Sequence, residues 1–241
     1  MNDWEQRLSD NLSKLSDAEF DYIDTKNIAE AKNIDLGCSG IYIEATVIYF
    51  EIKNLQYVLK ELGRRKAAQA YTMFNEVLST LSERHGAFVN CFSPSAFLVV
   101  YPGKDESLGA AVKGALRIAH AVSEDFKQQF SIVHGIEFAM GLDHGHIMGT
   151  KNHSDCGFEN ITWFGTCIYK AMRICRECAR PFYIGISSNL YHNLDDSLRI
   201  FERRIIGIRK KVDIWTKVTY QFDNVKKHLY QTNHKIPLDE A

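Results

Sequence analysis

From Ala45 onward the apolar residues change their spacing repeatedly, and this alternation restricts the chain to folds that layer helices on a sheet. Ala45–Ile52 (ATVIYFEI) is a β-branched and aromatic run with the length of a buried strand. Ala67, Ala70, Tyr71, Phe74, Val77, Leu78 and Leu81 then recur at i, i+3, i+4, the stripe of an amphipathic helix ending near His85-Gly86. Short strands Ala87–Phe92 and Ala96–Tyr101 flank Ser93-Pro94-Ser95, a hairpin signal. A second helix runs from about Glu106 to Val122, with Leu108, Ala111, Ala115, Ile118 and Val122 on one face. Ile136–Leu142 and His146–Gly149 predict another hairpin around Asp143-His144-Gly145. A third helix covers about Thr166–Cys178, followed by a strand (Phe182–Ile186), a short helix (Ser187–His192) and a closing hairpin (Arg204–Gly207, Val212–Val218). The order β-α-β-β-α-β-β-α-β-α-β-β predicts an α+β fold: a mixed sheet with helices packed on one face.

These elements fill residues 41–220 as one domain. Residues 1–40 read as an arm in which Leu8, Leu12 and Leu15 have helical spacing, and residues 221–241 read as a polar tail. A chain of 241 residues has room for one large domain plus small extensions. With 29 Lys+Arg against 30 Asp+Glu, the net charge of −1 gives no overall pull toward nucleic acid or an anionic membrane. There is no apolar stretch long enough for a membrane span and no signal-peptide core at the N-terminus. The six cysteines form no dense framework, so reduced thiols in a soluble, cytoplasmic protein are expected.

Several local patterns carry two readings each. Cys175-Arg176-Glu177-Cys178 has the C-x-x-C form of zinc or redox chemistry, or its thiols are small buried apolar groups. His144, His146, His153 and Cys156 could supply a transition-metal site, or the histidines are solvated. Tyr49 and Phe50 are base-stacking candidates or sheet packing, and Trp163 is a pocket wall or a packing residue. The basic runs Arg64-Arg65-Lys66 and Arg203-Arg204…Arg209-Lys210-Lys211 read as solvated faces. Neither a P-loop nor a G-x-S-x-G elbow is present.

Four segments, in order, resemble the catalytic domain of the class III nucleotide cyclases: VIYFEIKN, HGAFVNCFSPSAFLVVYP, MGLDHGHIMG and WFGTCIYKAMRI. The resemblance covers about Ala45 to Val218, and the YIDTKNI, FEIKN and GLDHG wording is similar to bacterial antiphage pyrimidine cyclases. It implies a dimer-forming fold with a ferredoxin-like core. It also implies conversion of a nucleoside triphosphate to the 3′,5′-cyclic monophosphate plus pyrophosphate, with Mg²⁺ or Mn²⁺ held by two Asp residues. Those two positions are Glu51 and Ser95 here, one carboxylate and one neutral hydroxyl, so the implied metal site is degenerate. The base-reading positions fall on Cys91 and Thr162, the ribose-orienting position on Tyr169, and Tyr49 flanks the same strand end. Arg173 keeps the type of the family's phosphate-stabilising arginine, or is a surface residue. The resulting expectation is a cyclase-fold protein with activity lost or severely weakened. Such a protein would act as a homodimer, as a nucleotide sensor, or as the partner of another cyclase-type subunit. The rival expectation is an active cyclase, perhaps on a pyrimidine nucleotide, using Glu51 and Arg173.

Overall fold

The computed structural model describes residues 3–17, 21–25, 39–83, 86–93, 95–126, 128, 136–152, 160–205, 208–222 and 224–237. Two long antiparallel strands form its spine: β2 (Ser39–Ile52) and β5 (Phe138–Asn152), paired from Gly40↔Thr150 to Ile52↔Phe138. Strand β1 (Asp21–Asp24), from the expected arm, pairs in parallel with the start of β2, and helix α1 (Asp3–Asp17) precedes it. Helix α2 (Leu55–Glu83), the hairpin β3 (Phe88–Ser93) and β4 (Ala96–Pro102), and helix α3 (Asp105–His120) lie between β2 and β5. The strand order β5-β2-β4-β3 of this β-α-β-β-α-β unit is the expected ferredoxin-like core.

Strand β6 (Asn160–Phe164) pairs with the far end of β5, and helix α4 (Thr166–Glu177) then crosses to β7 (Ile184–Ser187), parallel to β5. The chain continues through α5 (Ser188–His192), the hairpin β8 (Ile200–Ile205) and β9 (Ile208–Asp213), and then β10 (Thr216–Phe222) and β11 (Val225–Thr232).

Four expectations need correction. Asp143-His144-Gly145 is not a turn: all three residues lie within β5, opposite Val47, Thr46 and Ala45, because the long ladder with β2 overrides a local turn signal. The closing segment contains two hairpins. Buried Trp215 separates them, with its indole N–H donating to the Leu198 carbonyl at 2.9 Å. The polar tail contains β11, whose first half is exposed and whose second half is buried beside β7. Finally, helices cover both sheet faces. Ile48, Phe50 and Ile52 pack with Phe74, Leu78 and Leu116 under α2 and α3. The alternate residues Ile43, Val47 and Tyr49 pack with Ala171 and Cys175 under α4. Phe50, Phe74 and Phe97 are each 2% exposed or less, and burying each contributes about 2–3 kcal/mol.

Two glycines shape this packing. Gly63 (φ +67°) interrupts α2, so the predicted apolar stripe occupies only its second part. At Gly141 of β5 any Cβ would collide with the Ala171 carbonyl and the Cys175 amide, so α4 lies directly on the strand.

Candidate functional site

At the end of β2, on the side facing α4, Glu51 stands between Ala96 of β4 and Ala139 of β5. Ser95 precedes Ala96, and its carbonyl accepts the Ile52 amide N–H at 2.8 Å. The two metal positions implied by the resemblance are therefore neighbours. Glu51 Oε2 accepts a hydrogen bond from Lys53 Nζ at 2.6 Å, in a crease where the two side chains are 28% and 29% exposed. Ser95 Oγ lies 3.3 Å from Ser93 Oγ. Mg²⁺ requires near-ideal octahedral oxygen ligands and dehydrates reluctantly. One carboxylate already paired to an ammonium, beside a neutral hydroxyl, does not fit a two-ion Mg²⁺ or Mn²⁺ centre.

Tyr49 lies two residues before Glu51 on the same face and is 7% exposed, packed in the cluster under α4. Burial pushes its hydroxyl pKa up, and the charge of Glu51 pushes it further. Its ring is packing first; only its environment is shared with Glu51. Trp163 is buried too, with its ring 6.0 Å from that of Phe88.

The positions that the resemblance implies for reading the base come from two different strands. Asn90 Nδ2 donates to the Ile161 carbonyl at 2.8 Å, tying β3 to β6. Cys91 and Thr162 are the next residues along each strand. Thr162 is exposed, and the Cys91 side chain lies outside the described residues.

Helix α4 carries Tyr169, 48% exposed, and Arg173 one turn later. Among the described residues the Arg173 guanidinium makes no hydrogen bond or ion pair. Its charge is felt by Tyr220 of β10, which lies on the far side of the sheet order from β2. Cys175, in contrast, points down toward Glu51, with Sγ 3.9 Å from Oε2. Arg173 is two residues from Cys175 and so lies roughly 200° around the helix. One chain therefore does not bring Arg173 to Glu51. Beneath the same helix, Asp143 is 2% exposed and its Oδ2 is 3.7 Å from Lys170 Nζ. Burial raises its carboxyl pKa, opposed by a hydrogen bond with Ser187 and the Lys170 charge.

Both thiols of the C-x-x-C pair are buried, Cys175 Sγ against the Ala139 carbonyl at 3.3 Å and Cys178 Sγ against that of Met140 at 3.8 Å. Burial pushes the Cys178 thiol up to about 12 and that of Cys175 up as well, the opposite of a reactive thiolate. Among the described residues no group of three or more His, Cys, Asp and Glu is placed to hold a metal ion. His144 Nδ1 is 3.0 Å from Thr46 Oγ1 and its Nε2 is 3.2 Å from Glu44 Oε1, while the His146 ring stacks on Tyr42. His153 and Cys156 lie outside the described residues.

The sequence reading missed Lys53 as the partner of Glu51. Lys53 lies in the turn just past the end of β2, so strand alternation gave no signal for the pairing. The sequence reading also missed the polar chain through Thr46, which extends from His144 to Ser107 Oγ at 2.8 Å.

No family model matches the chain. It is 20% identical, over 94% of its own length and 95% of that protein, to a uridylate cyclase of Rhodovulum sp. (strain MB263). The adenylyl cyclase CyaB from P. aeruginosa has a similar structure, with a TM-score of 0.63, 16% identity and coverage of 84% of this chain and 99% of that one. A class III adenylyl cyclase-like ATP-binding protein from Pseudomonas aeruginosa gives 0.62 at 14% identity, covering 78% of this chain and 42% of that one. The architecture is that of the class III nucleotide cyclases. Among the described residues no helix is long and apolar enough to cross a membrane.

Proposed function

We propose that this chain binds a nucleoside triphosphate at a cyclase-type site, and that cyclisation to the 3′,5′-cyclic monophosphate is lost or severely weakened. The observation that carries this reading is the 2.6 Å pairing of Glu51 with Lys53 beside the neutral Ser95. Attack of a ribose 3′-hydroxyl on the α-phosphate needs that hydroxyl deprotonated and the pyrophosphate charge stabilised as it leaves. Glu51 is engaged and Ser95 carries no charge, so neither provides the ion-holding corner that would do the first task. Arg173 suits the second, through its fork of donors directed at phosphate oxygens.

Because Glu51 and Arg173 point to opposite sides of α4, a complete site takes one residue from each of two chains. Those chains are two copies of this protein, or this chain and another cyclase-type subunit. Cys91 and Thr162 would then meet the base, and Tyr169 the ribose. Similarity over nearly the full length to a uridylate cyclase favours a pyrimidine. The cyclase-like protein described as ATP-binding is a fold precedent for binding as the retained property.

The same uridylate cyclase likeness supports a second reading, an active pyrimidine cyclase in which Glu51 releases Lys53 to take Mg²⁺ or Mn²⁺. Purified protein incubated with each of the four nucleoside triphosphates and either ion separates the two. Nucleotide binding without cyclic product is expected. Turnover that disappears in both Glu51→Ala and Arg173→Ala would establish the second reading instead.

A further inference from the structure

We infer that Lys53 serves as a built-in cation in place of a divalent ion, bridging Glu51 to the phosphates of a bound nucleoside triphosphate and making that binding independent of metal. The inference rests on the nucleotide-binding reading of this site. Its first support is position. The Lys53 ammonium lies 2.6 Å from Glu51 Oε2, at the carboxylate corner where the fold's relatives are expected to place an ion.

The second support is how firmly Lys53 is placed. Its backbone N–H donates to the Glu137 carbonyl at 2.7 Å, and the adjacent Asn54 Oδ1 accepts the Glu137 N–H at 2.9 Å. This double clasp pins the turn after β2 to the residue preceding β5. The third support is electrostatic. Burial raises the thiols of Cys175 and Cys178, and the Lys53 charge is the first opposing influence on each. Glu51 Oε2 is 2.6 Å from Lys53 Nζ and 3.9 Å from Cys175 Sγ, so the ammonium lies by the last turn of α4, where the helix carbonyls favour a cation.

An ammonium carries three donors and no acceptor. Glu51 takes one, and the crease leaves the group partly open, so two donors remain for phosphate oxygens. A divalent ion at Glu51 would lie within a few ångströms of this ammonium, with only a neutral serine to offset the added charge. Lysine and metal thus exclude each other, and the side chain that is covalently present prevails.

The test is titration calorimetry of the purified full chain with UTP, and with CTP, ATP and GTP as separate arms, in EDTA and in Mg²⁺. Wild-type affinity in EDTA is expected within about threefold of that in Mg²⁺. Lys53→Ala should weaken the EDTA affinity by roughly tenfold or more, the loss of a charged hydrogen bond, while Lys53→Arg retains it. Paramagnetic resonance of Mn²⁺ without nucleotide should show no bound ion in wild type and a gain in Lys53→Ala. Thermal melts confirm that each variant is folded, and the arginine variant separates charge from packing. Binding only when metal is present, or wild-type Mn²⁺ binding that Glu51→Gln abolishes, overturns the inference and leaves the nucleotide reading standing. Binding of no nucleotide in either buffer overturns both.

Discussion

Strand β2 carries one glutamate in its first half and another beside its last residue, and the two are held in different ways. Glu44 begins a chain that passes through His144 and Thr46 to Ser107, in the first turn of α3. Ser107 Oγ lies 2.7 Å from the Gly103 carbonyl and 2.8 Å from that of Lys104. Thr46 and Ser107 are buried and hydrogen-bonded to one another, while Glu44 at the outer end of the chain is 31% exposed. Glu51 has one strong partner, Lys53, in a crease open to solvent. A network anchored on buried, hydrogen-bonded hydroxyls fixes elements in place. Under the proposed function, the charged Glu51–Lys53 pair with its unfilled donors is the part that takes a ligand. Stability is then expected to depend on the Glu44 network and ligand chemistry on the Glu51 pair, and substitutions at each should separate the two.

The largest loss of stability is expected at Thr46. Thr46→Val keeps the side-chain volume but removes the hydroxyl between Ser107 and His144. It should lower unfolding stability by about 2 kcal/mol, the cost of leaving a buried donor unpaired. A urea midpoint unchanged from wild type, at unchanged slope, would show that the chain adds nothing to the fold.

Asp143, opposite Val47 in the middle of the ladder, tests the boundary between the two ends. Its carboxyl is raised above the ordinary 3.8, chiefly by burial, so the folded protein favours the protonated form more than the unfolded chain does. The stabilising contribution is complete below that ordinary value and is lost as pH rises through the folded value. Asp143→Asn removes this dependence. The variant should match wild type at low pH and become the more stable of the two as pH rises toward neutrality, by less than the loss at Thr46. Thermal melts across that range that run parallel for the two proteins would contradict this, and would mean Lys170 and Ser187 fully offset the burial.

Much of this architecture is legible in the sequence, because burial leaves periodic marks. Ala45–Ile52 and Ala96–Tyr101 read as strands and the stripe from Ala67 to Leu81 as an amphipathic helix, and the structure has them so. What failed were segments whose local signal competes with a distant partner. Asp143-His144-Gly145 is written like a turn, and only the ladder with β2 overrides it. Lys226, Lys227 and His228 make β11 look like a tail, although Leu229 and Thr232 are fully buried. That Glu51 and Ser95 are neighbours follows from the β2–β4 pairing the sequence pattern implied. The engagement of Glu51 by Lys53 was not legible, because a pairing depends on side-chain direction and on the Glu137 clasp, which lies more than eighty residues away.

The smallest effect on stability is expected at Lys53, and its smallness is what gives the comparison force. The Glu51–Lys53 pair is partly exposed, and exposed ion pairs contribute little because water screens them and two long side chains must be held still. Lys53→Ala should therefore change unfolding stability by no more than about 0.5 kcal/mol, while shifting metal and nucleotide binding as described above. A loss as large as that of Thr46→Val would mean that Lys53 is a strut for α4, through its position beside Cys175 and Cys178, and the two ends of β2 would then share one structural role. A near-zero change in stability with a large change in ligand binding is the outcome that a site, and no strut, would give.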